Sequence, residues 1–327
     1  GIPVNHKLIS FLLRKGLSRL FPSFRLNQLV RLIKKIKPDI IHSLEIQRAG
    51  YLVMDAKKKI TNNFPSWIVT NWGSDIYLFG KLPDHKNKIK EILKECDFYS
   101  CECDRDIYLA KEMGFEGVVL PVFPNTGGFD LSKVKKMRQE GNSSERRIIM
   151  LKGYQHWAGR ALVGLRALER CADLLKGYEI VLYSTSKDVE LAAIIFNQST
   201  GIPVKILPND TTHIEMLSWH GRARISIGLS ISDAISTSLI EAIVMGSLPI
   251  QSCTACADEW INNMESGIIV HPEDVDIIEK AIRTGLINDE LVNRASELNW
   301  KTANERLDSN LIKSKRIFSI KSEPNEH

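Results

Sequence analysis

Residues 230–252 read SISDAISTSLIEAIVMGSLPIQS, and the order small polar turn, apolar helix, apolar strand decides the fold. The run just before it, ARISIGLS (223–230), carries Ile225, Ile227 and Leu229 and reads as a strand. LIEAIVMG (239–246) has helical apolar spacing and closes on a glycine, after which SLPIQS (247–252) resumes the strand pattern. Strand, helix and strand in so short a span make a parallel βαβ unit. Two carboxylates interrupt the apolar pattern: Asp233 in the turn at the strand's carboxyl end, and Glu241 near the start of the helix. Open parallel sheets bind ligands at those ends, so both are candidate site residues. Ser238-Leu-Ile-Glu241 also fits a capping box that satisfies the helix's own amides, a reading that leaves Asp233 unexplained.

The same alternation extends outward. PDIIHSL (38–44), SWIVTNW (66–72), CDFYSCEC (96–103) and GVVLPVF (117–123) read as strands separated by amphipathic segments. After a stretch rich in Gly, Asn, Ser and charge the pattern restarts with RIIMLKG (147–153), YEIVLYST (178–185) and PVKILP (203–208), and ends with GIIVHP (267–272). The expected fold class is α/β, with two Rossmann-like lobes facing a cleft. The expected divisions are a first lobe over 1–127, a linker over 128–146, a second lobe over 147–288 and a helical tail over 289–327.

A chain of 327 residues with 43% hydrophobic and 25% charged residues is ordinary for a globular protein of more than one domain. No apolar run approaches the roughly 18–20 residues of a membrane span. The opening residues do not read as a secretory signal, and six cysteines in this length do not suggest a disulfide framework, so a cytoplasmic setting is expected. Residues 1–38 contain no Asp or Glu, while Lys and Arg are interleaved with Leu, Ile, Phe and Val. They read as basic amphipathic helices broken near Pro22, either a solvated face or a surface for anionic lipid at the inner face of the membrane. Nucleic acid is not expected as a partner, because this run lacks a recognition motif and the remainder is close to neutral. Asp104-Arg-Asp106 opens a helix and reads as N-terminal capping. Cys101-Glu-Cys103 and Cys253-Thr-Ala-Cys256 each lack a second ligand pair and read as small, half-buried residues, so no metal is expected.

Asp233 and Glu241 eight residues on, then EAIVMGSLPI, then ADEWINNMESGIIVHPED, resemble the donor-site signature of the family-four retaining glycosyltransferases of the GT-B fold. LKGYQHWAGRALVGLRAL (151–168) occupies the place of that family's cationic strand–turn–helix, and HSLEIQRAG and TNWGSDIY resemble its first-lobe segments. The resemblance implies a two-lobed enzyme that moves a sugar from a nucleotide-diphosphate sugar to a glycan or lipid-linked saccharide with retention, in cell-surface polysaccharide synthesis. Glu241 would accept from the ribose hydroxyls and Asp233, where the family usually has Glu, from the transferred sugar. Lys152, Gly153 and Arg160 would meet the diphosphate together with the helix-opening amides of Ile235, Ser236, Thr237 and Ser238. The nucleotide sugar is a substrate, and no cofactor is implied.

On the acceptor side the resemblance singles out His42, Glu45, Trp72, Gly73 and Asp75. Trp72 stands where relatives often carry a His, and Trp72 and Asp75 also read as a core tryptophan and a turn residue. The family's first lobe opens with a strand and a glycine turn, whereas residues 1–37 read as basic helix, so that lobe is expected to be shortened at its front. The rival reading is a non-catalytic nucleotide-sugar-binding or scaffold protein that keeps only the donor lobe.

Overall fold

The structure, a computed structural model, describes residues 23–314. Of the basic helices expected over residues 1–38 and the shortened front expected over 1–37, the part on residues 1–22 lies outside them. Two compact units are present: one contains the described residues up to Ser100 with Tyr108–Leu120, the other Cys101–Ile107 and the residues from Pro121 onward.

The first unit opens with α1 (Phe24–Ile36) and carries four parallel strands in sequential order, β1 (Ile40–Leu44), β2 (Ser66–Thr70), β3 (Phe98–Ser100) and β4 (Val118–Val119). Between them run α2 (Tyr51–Lys59), the single turn α3 (Ser74–Tyr77) and α4 (Pro83–Glu95). The helix α5 (Asp104–Glu112) follows β3, and its residues up to Ile107 count with the second unit. Pro83 opens α4, where its missing amide costs nothing.

The second unit has six parallel strands, β5 (Ile148–Lys152), β6 (Glu179–Tyr183), β7 (Val204–Ile206), β8 (Ala223–Gly228), β9 (Leu248–Ser252) and β10 (Ile268–Val270). Its helices are α6 (Leu131–Lys135), α7 (Ala161–Arg170), α8 (Lys187–Thr200), α9 (His213–Arg222), α10 (Thr237–Met245), α11 (Val275–Ile287) and α12 (Asp289–Arg306). The spatial order β10-β9-β8-β5-β6-β7 means that the chain starts in the middle, winds out to β7, then returns to the other side of β5. A doubly wound sheet of this kind has its switch point between β5 and β8. Every residue of β8 and β9 is buried, the polar Arg224, Ser226, Gln251 and Ser252 included.

The quoted stretch folds as expected: β8, turn, α10, β9. α10 is buried along most of its length because its outer side packs on Phe129, Leu131, Val134, Trp260 and Leu307. It ends at Gly246, whose φ of 75° lets its amide reach the Ala242 carbonyl. The segment 128–146 is built into this unit: Arg138 donates to the carbonyls of Val244 (3.1 Å) and Ile243 (3.5 Å), and Arg146 to that of Met245 (3.2 Å). Those carbonyls close a helix and have no partner within it, so cations suit them.

Candidate active site

The carboxyl ends of β5 and β8 diverge at the switch point, and the sequence-predicted donor residues gather there. Lys152 ends β5, and its Nζ donates to the Ser236 Oγ at 3.2 Å. Ser236 is the N-cap position of α10, and its hydroxyl pairs with the Ser238 Oγ at 2.7 Å. Ile235 and Ser238 are buried and Thr237 is exposed, so the first turn of α10 presents its positive end beside the Lys152 ammonium. Gly153 continues from β5 where a Cβ would lie 2.9 Å from the Tyr183 carbonyl oxygen and 2.5 Å from the Thr185 methyl, so the chain passes too tightly for any other residue.

Arg160 closes the loop after β5. Its amide bonds to the Leu229 carbonyl at 3.0 Å, and its guanidinium rests on Glu273 at 2.8 Å. Between the two cations lies His156, a residue the sequence reading did not select. Burial, then the charges of Lys152 and Arg160, hold its imidazole below the ordinary value.

Glu241 sits in the second turn of α10, 5% exposed. No capping box forms at this helix; Ser238 is turned to Ser236 and to the Tyr183 phenol. The capping box of this region is instead Thr212 with Glu215 at the start of α9. The Glu241 Oε1 lies 3.1 Å from the His213 Nε2, and Oε2 lies 3.4 Å from the His220 Nε2. The His220 ring is fully buried, with Nδ1 2.9 Å from the Ser226 Oγ. Burial alone would raise the Glu241 carboxyl, but the two imidazoles outweigh it and hold it down at about 2, so it is ionised at neutral pH.

Asp233 lies in the turn after β8, with Oδ1 accepting from the Ala234 amide at 3.0 Å. The same turn is tied to the 101–107 segment, whose part in the site was not legible in the sequence. Arg105 donates to the carbonyls of Asp233 (2.8 Å) and Thr254 (3.2 Å), and pairs with the fully buried carboxylate of Asp106 at 2.9 Å. Beside it Glu102 accepts from the Asn125 amide at 2.6 Å. Burial pushes Glu102 up to about 7 against that bond, with the charges of Asp233 and Asp106 adding to the rise, so it exchanges its proton near neutrality.

The capping expected of Asp104 and Asp106 is supplied from elsewhere: the Glu259 carboxylate accepts from the amides of Asp104 (2.8 Å) and Arg105 (3.0 Å). Cys103 and Cys256, one from each dismissed cysteine motif, meet as buried hydrogen-bonded thiols, and with Glu259 they place three ligand-capable atoms within 4.8 Å of one another. Glu259 is already committed to α5 and the Arg105 guanidinium lies alongside, so we read this set as a joint between two turns.

In the first unit the acceptor-side candidates meet at the carboxyl ends of β1 and β2. The His42 Nε2 lies 2.6 Å from the Thr70 Oγ1, and the Glu45 amide bonds to the Thr70 carbonyl at 3.0 Å. Asp75 is buried, and its Oδ2 accepts from the amides of Ile46 (3.0 Å) and Trp72 (3.1 Å), so this carboxylate binds the two turns together. Glu45 likewise turns inward, accepting from the Arg48 (3.0 Å) and Ala49 (3.4 Å) amides. Gly73 precedes α3 at φ 78°. Trp72 is 49% exposed; the core tryptophan is Trp67, fully buried with its indole N–H 3.0 Å from the Ser43 Oγ.

Residues 5–99 match the family described as Glycosyl transferase 4-like. No curated protein matches the chain by sequence. Among solved structures it is similar to Anabaena HepE in complex with UDP-glucose, with 14% identity, 94% of this chain and 84% of that chain covered and a TM-score of 0.70. It is also similar to the UDP-forming α,α-trehalose-phosphate synthase of Burkholderia xenovorans in complex with glucose-6-phosphate (11% identity, 94% and 76% covered, TM-score 0.71). A third is the sucrose-phosphate synthase of Thermosynechococcus elongatus (15% identity, 93% and 79% covered, TM-score 0.67). The fold is that of the GT-B glycosyltransferases.

Proposed function

We propose that this chain is a retaining glycosyltransferase that takes its sugar from a UDP-sugar and passes it to a glycan or lipid-linked saccharide in cell-surface polysaccharide synthesis. The observation that carries the reading is the gathering of Lys152, the first turn of α10, Asp233 and Glu241 at the switch point of the six-stranded sheet. A diphosphate meets a cation and a helix N-terminus there, and a ribose diol meets an ionised carboxylate. The solved structure with UDP-glucose supports the choice of donor.

Catalysis in this reading is positioning plus stabilisation of the leaving diphosphate as its charge develops. Lys152 and the α10 amides face that charge, and Arg160 joins them by leaving Glu273. Asp233 accepts from the transferred sugar, with Glu102 beside it as a carboxyl able to donate a hydrogen bond near neutral pH. His42, Glu45, Trp72, Gly73 and Asp75 belong to the acceptor side, where Glu45 and Asp75 shape the turns and the exposed Trp72 offers an apolar face.

A thermal-shift panel of UDP-, GDP-, ADP- and CMP-sugars tests the donor, followed by turnover with the tightest binder and NMR of the product's anomeric centre. UDP-glucose should stabilise the protein, and Arg160→Ala should weaken it roughly tenfold or more, the worth of one charge-assisted hydrogen bond. Binding without transfer or donor hydrolysis would favour a scaffold over an enzyme.

Among the described residues no helix is long and apolar enough to cross a membrane. Attachment at the cytoplasmic face is proposed instead through α1, where Arg25, Arg31, Lys34 and Lys35 are exposed beside Leu32 (51% exposed) and Ile36 (61%). Anionic vesicles should retain the protein, neutral vesicles should not, and salt should release it. Equal retention by both would reduce α1 to a solvated face.

A further inference from the structure

The two oxygens of Glu241 are held differently. The inner one faces His220, a ring with no exposure, fixed by Ser226 and met edge-on by Tyr183 at 5.6 Å. The outer one faces His213, whose side chain is 59% exposed although the carboxylate it touches is buried. His213 is the first residue of α9, and the Thr212–Glu215 capping box fixes its backbone independently of its ring. The ring also stands 6.0 Å, centroid to centroid, from the Phe129 ring. It can therefore rotate outward without opening the core.

The inner oxygen already meets the buried His220 ring at 3.4 Å, so a ribose diol coming from solvent must reach the outer oxygen, and there the half-exposed His213 ring stands at 3.1 Å. We propose that His213 is a displaceable cover on Glu241: its imidazole occupies the carboxylate while the donor site is empty, and it must swing off for the ribose of a nucleotide sugar to bind. This rests on the donor-site reading above.

Proton linkage follows. The hydrogen bond to Glu241 raises the His213 pKa above 6.5, with burial opposing it and the Glu241 charge assisting. The start of a helix disfavours a cation, so the carboxylate is what favours the charged ring. The other groups facing the pair are His220 on α9 and Tyr183 on β6, whose phenol is pushed up by burial and then by the Glu241 charge; Glu215 is engaged by Thr212. Displacement takes the partner from a protonated ring, whose pKa falls back, so binding releases a proton. Affinity therefore rises with pH from 6.5 up to the raised value and is level on either side.

The test is calorimetric titration of the full chain with UDP-glucose, and with GDP-mannose as a second probe, between pH 5.5 and 8.5; neither diphosphodiester titrates in that range. The parent should gain roughly five- to tenfold in affinity across the window. His213→Ala should bind more tightly than the parent at pH 6 and lose the part of the slope that His213 supplies, while any slope from Glu102 or His156 stays the same in both proteins. NMR of the labelled His213 ring should show its elevated pKa falling when UDP-glucose saturates the site. A variant weaker at every pH, or a ring pKa that rises on binding, would make His213 a direct ligand and overturn the cover. If no nucleotide sugar in the panel binds, the donor-site reading fails and the proposal with it. Binding with an unchanged pH profile in His213→Ala defeats the cover alone.

Discussion

A Glu241→Gln variant is expected to bind UDP-glucose roughly ten- to a hundredfold more weakly than the parent, about 1.5–3 kcal/mol for the loss of a charged acceptor. The amide keeps the shape of the carboxylate but offers one acceptor oxygen in place of two, and its NH₂ faces an imidazole. The variant has a second signature in its acid stability. The folded Glu241 carboxyl lies at about 2, below its unfolded value of 4.5, so its contribution is fully present above 4.5 and is lost as pH falls toward 2. The parent should lose that part of its stability between those values, and the variant should lack it. Isothermal titration and acid melts measure the two effects separately. Parental affinity in the variant would move the ribose subsite away from Glu241; an unchanged acid limb would mean that the imidazoles do not hold the carboxylate.

How far the site was legible depends on where each residue lies along the chain. Lys152 ends β5 and Asp233 lies in the turn after β8, while Glu241 is further on, in the second turn of α10; the strands are legible because β5 and β8 are largely buried and carry their apolar residues accordingly. Once the strands are placed, the ends follow, and a carboxylate there has few structural reasons to exist. The partners of those residues came from elsewhere. His213 and His220 belong to α9, seven residues apart and thus on one face of the helix, and that spacing was the available signal. In one sequence it is equally the mark of an ordinary packed face, and only the closeness of α9 to α10 turns it into a clamp. The same limit applies to Cys103 and Cys256, each unremarkable in its own motif and joined only by the fold. Segment 128–146 shows another limit of a local reading. Its Gly, Ser and charge describe a linker, but the charges are arginines that fold back onto helix-ending carbonyls, and a local composition window does not carry that information.

Arg105→Ala is expected to be among the most damaging single changes outside the switch point, costing about 3–5 kcal/mol, the range for removing one partner of a buried ion pair. The guanidinium makes bonds to Asp106, to the Asp233 carbonyl and to the Thr254 carbonyl, so its loss frees two turns that the sequence separates by more than a hundred residues. It also leaves the Asp106 carboxylate, which has no solvent exposure, without its cation. If the buried charge is the larger part of the cost, Arg105→Ala combined with Asp106→Asn should recover much of the stability lost in the single variant, a coupling that a double-mutant cycle of urea melts reads directly. Sugar transfer should behave differently. The Asp233 turn stays untethered in both variants, so turnover should remain low in the double variant even where stability returns, while UDP-glucose affinity, which depends on Lys152, Arg160, α10 and Glu241, changes little. Recovery of stability and turnover together would show that Arg105 acts only by holding the fold. Recovery of stability alone makes it a positioning residue for Asp233, and links the 101–107 segment to the chemistry at the end of β8.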